Sequence, residues 1–320
     1  MKKEVSVLLG TICLSFGLLQ TTTVQGQIVA SKRHITRTVE VGSFDHIRLN
    51  GSSELFFTPT TGKQHLRLTL PDNLVDVVQV YVKDRTLILE MKPHTSVILK
   101  NGSRVELQVS APMVESATLN GSGDIHFSTS VNSRKPLELT VNGSGDMDSR
   151  DIKVSSLKAT VNGSGDIELG RVEASRIQTT VNGSGDLTVA AMKAEQANAA
   201  VNGSGDLSWR NVTAHEVQTE VNGSGDVQLS SVTAQSVEAS VSGSGDLQLN
   251  GRSEEAHYVL AGSGDISAAG LKAKQVTARI AHGSGDIHCH ASDSIVMTQK
   301  RHENSIIYTG NPKHVERNEL

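Results

Sequence analysis

Nine aspartates in this 320-residue sequence share one setting: Asp124, Asp146, Asp166, Asp186, Asp206, Asp226, Asp246, Asp265 and Asp286 each close a Gly-Ser-Gly-Asp tetrapeptide. Successive copies start 22, 20, 20, 20, 20, 20, 19 and 21 residues apart. What chemistry such a series can do depends on whether the carboxylates stand side by side. Stacked at the ~4.8 Å that separates neighbouring strands, each pair would repel by roughly 1 kcal/mol in water and roughly 3 to 4 at an effective dielectric near 20. A line of nine therefore needs hydrogen bonds or counter-ions. One reading is a structural corner, with Gly at positive φ and with Ser and Asp bonding nearby backbone N–H groups as ST and Asx turns do. The other is a ladder that binds Ca²⁺, an ion that takes several hard oxygen ligands and that glycine-rich β-rolls hold through a Gly-x-Gly-x-Asp repeat. Those rolls repeat as nonapeptides and place the Asp one residue later, so the corner is favoured here. Flanking positions such as Glu168, Thr188, Ser208, Gln228 and Gln248 vary between copies, so a physical requirement holds the tetrapeptide itself.

Few other residues offer chemistry. His282, His288, His290 and His302 gather near Cys289. On a strand, His288 and His290 share the outward face while Cys289 points inward. These two histidines are the candidates for a metal, but no zinc-ligand spacing is present. The histidines therefore read as exposed strand residues and Cys289 as a buried, inert thiol. Paired carboxylates for glycoside hydrolysis would need a cleft walled by long loops, and the even intervals leave no room for insertions. Sugar-stacking aromatics are scarce, with one Trp, three Tyr and five Phe in all. No Ser/His/Asp order, phosphate loop or Cys-x-x-Cys element occurs. The sequence thus predicts no catalytic residues and no cofactor beyond the Ca²⁺ of the ladder reading. Asn precedes the tetrapeptide at 120, 142, 162, 182, 202 and 222 and gives way to Ser242, Ala261 and His282. An Asn stack is therefore helpful rather than obligatory, and the Asn-Gly-Ser match to a glycosylation sequon follows from turn chemistry.

The elements that must position these residues follow from the repeat. Between Val161 and Val181, apolar or small residues fall at Ile167, Leu169, Val172, Ala174, Ile177 and Thr179. The next copies keep the register with Leu187, Val189, Met192, Ala194, Ala197 and Ala199, then Leu207, Trp209, Val212, Ala214, Val217 and Thr219. Spacing of two within each cluster means strand. Three such clusters per coil, broken by Gly-Ser-Gly-Asp and short polar steps, predict an all-β, right-handed parallel β-helix of about 20 residues per coil with Gly-Ser-Gly-Asp corners. One coil cannot bury enough surface to order itself, which is why such coils come in arrays. Residues 119–320 form the regular part. Residues 27–118 are strand-rich but irregular and are expected to cap the solenoid, whose first degenerate copy is Asn50-Gly51-Ser52-Ser53-Glu54. Ser305-Ile306-Ile307-Tyr308 reads as the last strand before Gly310-Asn311-Pro312 stops it.

Composition and processing signals set the compartment. A net charge of −4 with no dense Lys/Arg run gives no footprint for nucleic acid or for an anionic membrane. Residues 1–26 read as a signal peptide: Lys2 and Lys3, the apolar stretch Val5 to Leu19, and Val24-Gln25-Gly26 before Gln27. Ile12 stands where lipoprotein processing at Cys13 would call for Gly or Ala. The mature chain then carries Cys289 alone and no transmembrane segment.

These residues resemble a bacterial family labelled "putative auto-transporter adhesin, head GIN domain". The resemblance rests on Val39-Glu40-Val41-Gly42-Ser43-Phe44-Asp45-His46-Ile47 leading to Asn50-Gly51, on Asp72-Asn73-Leu74, and on Val82-Lys83-Asp84-Arg85-Thr86-Leu87-Ile88. The Gly-Ser-Gly-Asp copies and Tyr308-Thr309-Gly310-Asn311-Pro312 complete it. It implies an exported β-helical protein, mostly of Gram-negative bacteria, with no catalytic residues to carry over. The row of copies is longer and more regular here. The family's closing Ser-Gly strand is missing, which leaves the C-terminal end open, and too few residues follow Asp286 for a translocator barrel. The resulting expectation is an exported, non-catalytic scaffold or adhesion module of the periplasm, outer-membrane surface or extracellular space. Its partner would be a surface ligand, protein or glycan, and the sequence sets no oligomeric state.

Overall fold

A computed structural model describes residues 27–100, 102–300 and 305–320. The predicted signal peptide, Cys13 and His302 lie outside the described residues. The chain forms an all-β parallel solenoid whose coils follow the sequence period. Ile167, Leu169 and Val172 lie beside Leu187, Val189 and Met192, and Ile177, Thr179 and Val181 beside Ala197, Ala199 and Val201. The following coil takes the same register, with Leu187 beside Leu207, Val189 beside Trp209 and Val201 beside Val221. Equivalent side chains therefore stack in columns, and the inward ones merge into one continuous hydrophobic core. Ala194, expected inward, is only half-buried.

In the regular part the strands run on round two of the corners, as in Leu187–Val201 and Val227–Val241, with the pairing interrupted at the bend itself, where the register shifts between Leu229 and Val232. Left-handed backbone at Asn211 (φ 49°) and Ser231 (φ 53°) makes one of these bends. Trp209 and Tyr258 are wholly buried. Tyr258 stacks between Ala239 and Ala278, whose small side chains leave room for the ring.

The N-terminal region departs from simple coiling. Strand His46–Gly51 lies in parallel between Thr86–Met91 and Ser116–Gly121, and Glu54–Pro59 between Glu106–Ala111 and Asp124–Phe127. The chain thus leaves the stack after Pro59, builds the layer beneath, and returns at Ser116 to lay the next coil on top. Antiparallel strands finish that end: Val78–Lys83 on Thr86–Met91, His65–Pro71 on Glu106–Ala111, and His34–Val39 on His65–Pro71. The 3-10 turn Asp72–Leu74 is the only helical element among the described residues, and it buries Leu74.

The C-terminal end corrects one expectation. Ile306–Thr309 pairs with Ile287–His290, but Gly310-Asn311-Pro312 does not stop the solenoid. Gly310, at φ 93°, turns the corner, and strand His314–Glu319 continues in parallel on Ser294–Gln299. Gly310 is required there on two counts, since a Cβ would also stand 2.1 Å from the Ala291 carbonyl oxygen.

Candidate functional site

At the tetrapeptide corner the coils remain hydrogen-bonded through the backbone. The carbonyl of the first glycine accepts two N–H groups from the coil above, as Gly163 does from Ser184 at 2.8 Å and Gly185 at 3.1 Å. The aspartates extend this network with their side chains. From Asp124 to Asp265 each Oδ1 accepts the backbone N–H of the aspartate one coil on, at 2.7–2.9 Å, in an unbroken series that ends on Asp286. All nine sequence-predicted aspartates are thus brought into one line, and their N–H groups offset part of the repulsion that the line creates.

The glycines are needed mainly for space. A Cβ on Gly205 would stand 2.0 Å from the Gly185 carbonyl oxygen, and the same clash recurs at both glycines through the array. The expected positive φ occurs at Gly121, Gly143 and Gly283 among the first glycines of the nine copies, while the others in the series do not need it. The reason is the stack itself: backbone passes directly over backbone, and no side chain fits between. The serines also depart from expectation. Ser164, Ser184 and Ser204 are exposed and bond no neighbouring N–H, so they form no ST turn.

A second ladder runs beside the first. The amide of Asn120 donates to Asn50, Asn142 to Asn120, and so on to Asn222 on Asn202, at 2.8–3.1 Å. It ends on a carboxylate: Asn50 donates to Glu90 at 2.8 Å, and the Tyr81 hydroxyl donates to the same group at 2.7 Å. The Glu90 bond, burial and the Glu90 charge all raise the Tyr81 pKa. Sequence reasoning did not single out Glu90 or Tyr81. The only signal was Asn50-Gly51, which marks where the ladder must end.

Alongside the aspartates runs a partly open groove of about 640 Å³. Asp186, Asp206, Asp226 and Asp246 form one wall, and Thr188, Ser208, Gln228 and Gln248 lie along it. Further along the same outer face His126 stacks on Phe56, ring centroids 4.8 Å apart, and its Nδ1 lies 2.7 Å from Asp148. Elsewhere, charges pair from coil to coil, as Lys153 does with Glu173 and Lys158 with Glu138.

Near the C-terminal end Cys289 is buried in the column of Ala268 and Tyr308. Burial pushes its thiol up to about 12. His288 is exposed beside it, and His290 Nδ1 lies 3.1 Å from the Thr309 hydroxyl. Partial burial, then the Lys272 charge, lowers the His290 pKa. His288 and His290 do share a face, as expected, but no group of three His, Cys, Asp or Glu side chains converges to hold a metal among the described residues.

The fold and this corner define a class: a parallel β-solenoid laced along one edge by side-chain ladders, with an irregular, partly antiparallel N-terminal end. Within that class the chain belongs to the family described as "putative auto-transporter adhesin, head GIN domain", whose pattern matches residues 43–211 and 207–312. The segments that carry the family likeness have structural work to do at the N-terminal end. Arg85 donates from both Nε and Nη2 to Asp45, which joins two of them, and Asp84-Arg85 forms the two-residue turn of the Val78–Lys83 hairpin. Asn73 bonds Val29 and Ser31 and ties down the entering strand. Among solved structures, one called a putative adhesin from Parabacteroides distasonis is 17% identical, with a TM-score of 0.60 over 91% of this chain and 100% of that one. A putative adhesin from Parabacteroides merdae is 16% identical, with a TM-score of 0.57 over 91% and 98%. A putative lipid binding protein from Parabacteroides distasonis is 17% identical, with a TM-score of 0.56 over 91% and 99%. At these identities the likeness is one of fold. No curated protein matches the chain.

Proposed function

We propose that the protein is an exported, non-catalytic scaffold or adhesion module of the cell envelope or surface, and that it contacts a protein or glycan through the sides of the solenoid. The observation that carries this reading is the shape of those sides. They are built from repeating outward columns of polar side chains, and the groove beside the aspartates is lined by strand and corner residues rather than walled by long loops. Such a surface suits a broad, multivalent contact better than the enclosed pocket that catalysis needs. The family description agrees with it. No described helix is long and apolar enough to cross a membrane, and an N-terminal signal peptide over residues 1–26 would route the chain for export. In this reading residues 27–118 cap the regular array of 119–320, and the aspartate row is corner architecture.

Two measurements test the proposal together. Protease treatment of intact producing cells should remove the protein before the envelope is permeabilised. The purified protein, labelled and applied to arrays of glycans and matrix proteins, should give saturable binding that variants on the outer columns, such as S208R/Q228R, abolish. Full protection in intact cells together with blank arrays would overturn the proposal.

A further inference from the structure

We infer that Asn222 is a site of spontaneous covalent modification, a backbone-assisted deamidation, and that the asparagine ladder opens from this residue one rung at a time. In an Asn-Gly step the glycine nitrogen can reach the side-chain amide carbon of the asparagine, and glycine carries no Cβ to obstruct the approach. Asn142, Asn162, Asn182, Asn202 and Asn222 all stand in the same Val-Asn-Gly-Ser-Gly-Asp context. All five are exposed. Local sequence and access of water are therefore equal among them, and any difference in reactivity comes from how the fold holds each amide.

The hold differs at one place. Asn142, Asn162, Asn182 and Asn202 are bonded through both side-chain atoms, Nδ2 donating to the rung below and Oδ1 accepting from the rung above. Asn50 closes the far end by donating to Glu90. Asn222 has a single bond, to Asn202 at 3.1 Å, the longest in the ladder. Ser242 takes the place of the next asparagine, and it gives the Asn222 Oδ1 no donor. The nucleophile is equally free in these copies. The N–H groups of Asn222 and Ser224 donate to Val201 and Gly203, while that of Gly223, like those of Gly163, Gly183 and Gly203, has no acceptor among the described residues. Attack requires the amide to turn out of its row. That breaks one hydrogen bond at Asn222 and two at an inner rung, so each inner rung reacts roughly fivefold more slowly.

The chemistry needs only water. The Gly223 nitrogen gives its proton to solvent base and bonds to Asn222 Cγ. The Cγ–Nδ2 bond breaks, and the nitrogen takes a proton from solvent and leaves as ammonia. Water then adds to one of the two carbonyls of the five-membered imide and breaks its bond to the ring nitrogen, leaving aspartate or iso-aspartate. Each event adds one negative charge beside the aspartate row. The new side chain has no N–H to donate, so the Asn202 Oδ1 loses its donor and Asn202 becomes the singly held end. The reaction then steps toward Glu90.

Peptide mapping by mass spectrometry tests the inference, after the folded protein has been held in mildly alkaline ¹⁸O-water, which marks each new carboxylate. Asn222 should react first, about fivefold ahead of the inner rungs, and Asn202 should follow after a lag. In denaturing urea the five should react at one rate. N222D should start Asn202 without the lag. S242N adds a rung, so Asn222 should fall to the inner rate and the new amide at position 242 should react first. Four results would overturn the inference: equal rates at the five in the folded protein, the folded order persisting in urea, an N222D protein whose Asn202 keeps the inner rate, or an S242N protein that melts like the parent and still reacts first at Asn222.

Discussion

Replacing Asp206 by Asn and by Ala separates what its oxygen does from what its charge does. In the folded chain Asp206 Oδ1 accepts the Asp226 N–H at 2.8 Å, while the Asp206 N–H donates to Asp186 at 2.8 Å. Both substitutions remove one charge from the row. Both therefore relieve repulsion with two neighbours, roughly 1 kcal/mol each in water at the ~4.8 Å coil spacing, and less at physiological salt, where the screening length is ~8 Å. That term cancels when the two variants are compared. What remains is the acceptor, which Asn keeps and Ala lacks. A net hydrogen bond contributes about 0.5–1.5 kcal/mol, so D206N should be more stable than D206A by ~1 kcal/mol, whatever the salt. Against the parent, D206N should gain at low salt and lose that gain as salt rises. The assay is urea unfolding followed by the fluorescence of Trp209, the single tryptophan, which is buried in the same coil. Equal stability of the two variants would refute the bonding role of Oδ1. A D206N protein less stable than its parent at low salt would refute the repulsion argument and show that the charge of the acceptor, through its bond to the Asp226 N–H or a bound cation, outweighs it.

Three further outcomes follow from the same geometry. Gly205→Ala should disrupt the central coils, because its Cβ would meet the Gly185 carbonyl oxygen at 2.0 Å and the Gly185 and Ser184 carbonyl carbons at 2.8 Å, all backbone that cannot step aside; Ser204→Ala, at an exposed hydroxyl, should change stability by less than ~0.5 kcal/mol, and thermal unfolding by circular dichroism distinguishes them. Alkaline pH should destabilise the fold: the Cys289 thiol rises from 9.0 to about 12 on burial, so the folded state holds a proton that the unfolded state releases, and its contribution is intact below about pH 9 and lost as pH climbs toward 12. Cys289→Ala should flatten part of that slope in denaturant titrations, with Tyr258 and Tyr81, both also raised, contributing to the remainder. Chelator or added Ca²⁺ should leave the melting temperature unchanged; a rise of ~10 °C with Ca²⁺ would make the aspartate row a metal ladder.

The regular coils were legible because two periods agree there: alternation of two within each arm and a nearly constant interval between arms. That pair of signals places Leu169, Val189 and Trp209 in one column without any knowledge of the structure. The first part of the chain lacks the second period. Leu66, Leu68 and Leu70 alternate as clearly as any coil strand, yet nothing in alternation says that His65–Pro71 runs antiparallel to its neighbours or that it lies beneath a strand that precedes it in sequence. The Asp84-Arg85 turn was the one local cue to a hairpin. At the corner the residue types were readable and their reasons less so. Gly follows equally from positive φ and from a close backbone crossing, and only the stacked geometry separates the two. The aspartate bond was expected to be local, but its partner lies about 20 residues away, in a contact that exists only when coils stack. The strand beyond Pro312 was missed because proline normally ends a strand, whereas here Pro312 lies in the corner between Ile306–Thr309 and His314–Glu319, outside either strand.

The way the chain threads its N-terminal end explains how a one-dimensional stack with such small core residues can hold together. Each regular coil contributes side chains such as Ala197, Ala199, Val201 and Thr219, too little apolar surface to order a coil alone, so its stability depends on its neighbours. A stack of this kind is weakest at its ends, where one neighbour is missing. Trp209 and Tyr258 apart, the chain concentrates large buried residues at the N-terminal end, Phe44, Phe57, Leu66, Leu68, Leu74 and Leu107 among them, and it does so with a segment inserted between the first coil and the second. That insertion makes the end layer and the first coil depend on each other through strands that pair on both sides of His46–Gly51 and Glu54–Pro59. The Asn ladder closes onto Glu90 in this same layer. The N-terminal end is therefore a templated surface on which identical coils are laid, and the ladders carry its register outward from coil to coil. Such a design lets the number of coils vary without redesign of the core, which agrees with the proposed contact through the sides of the solenoid.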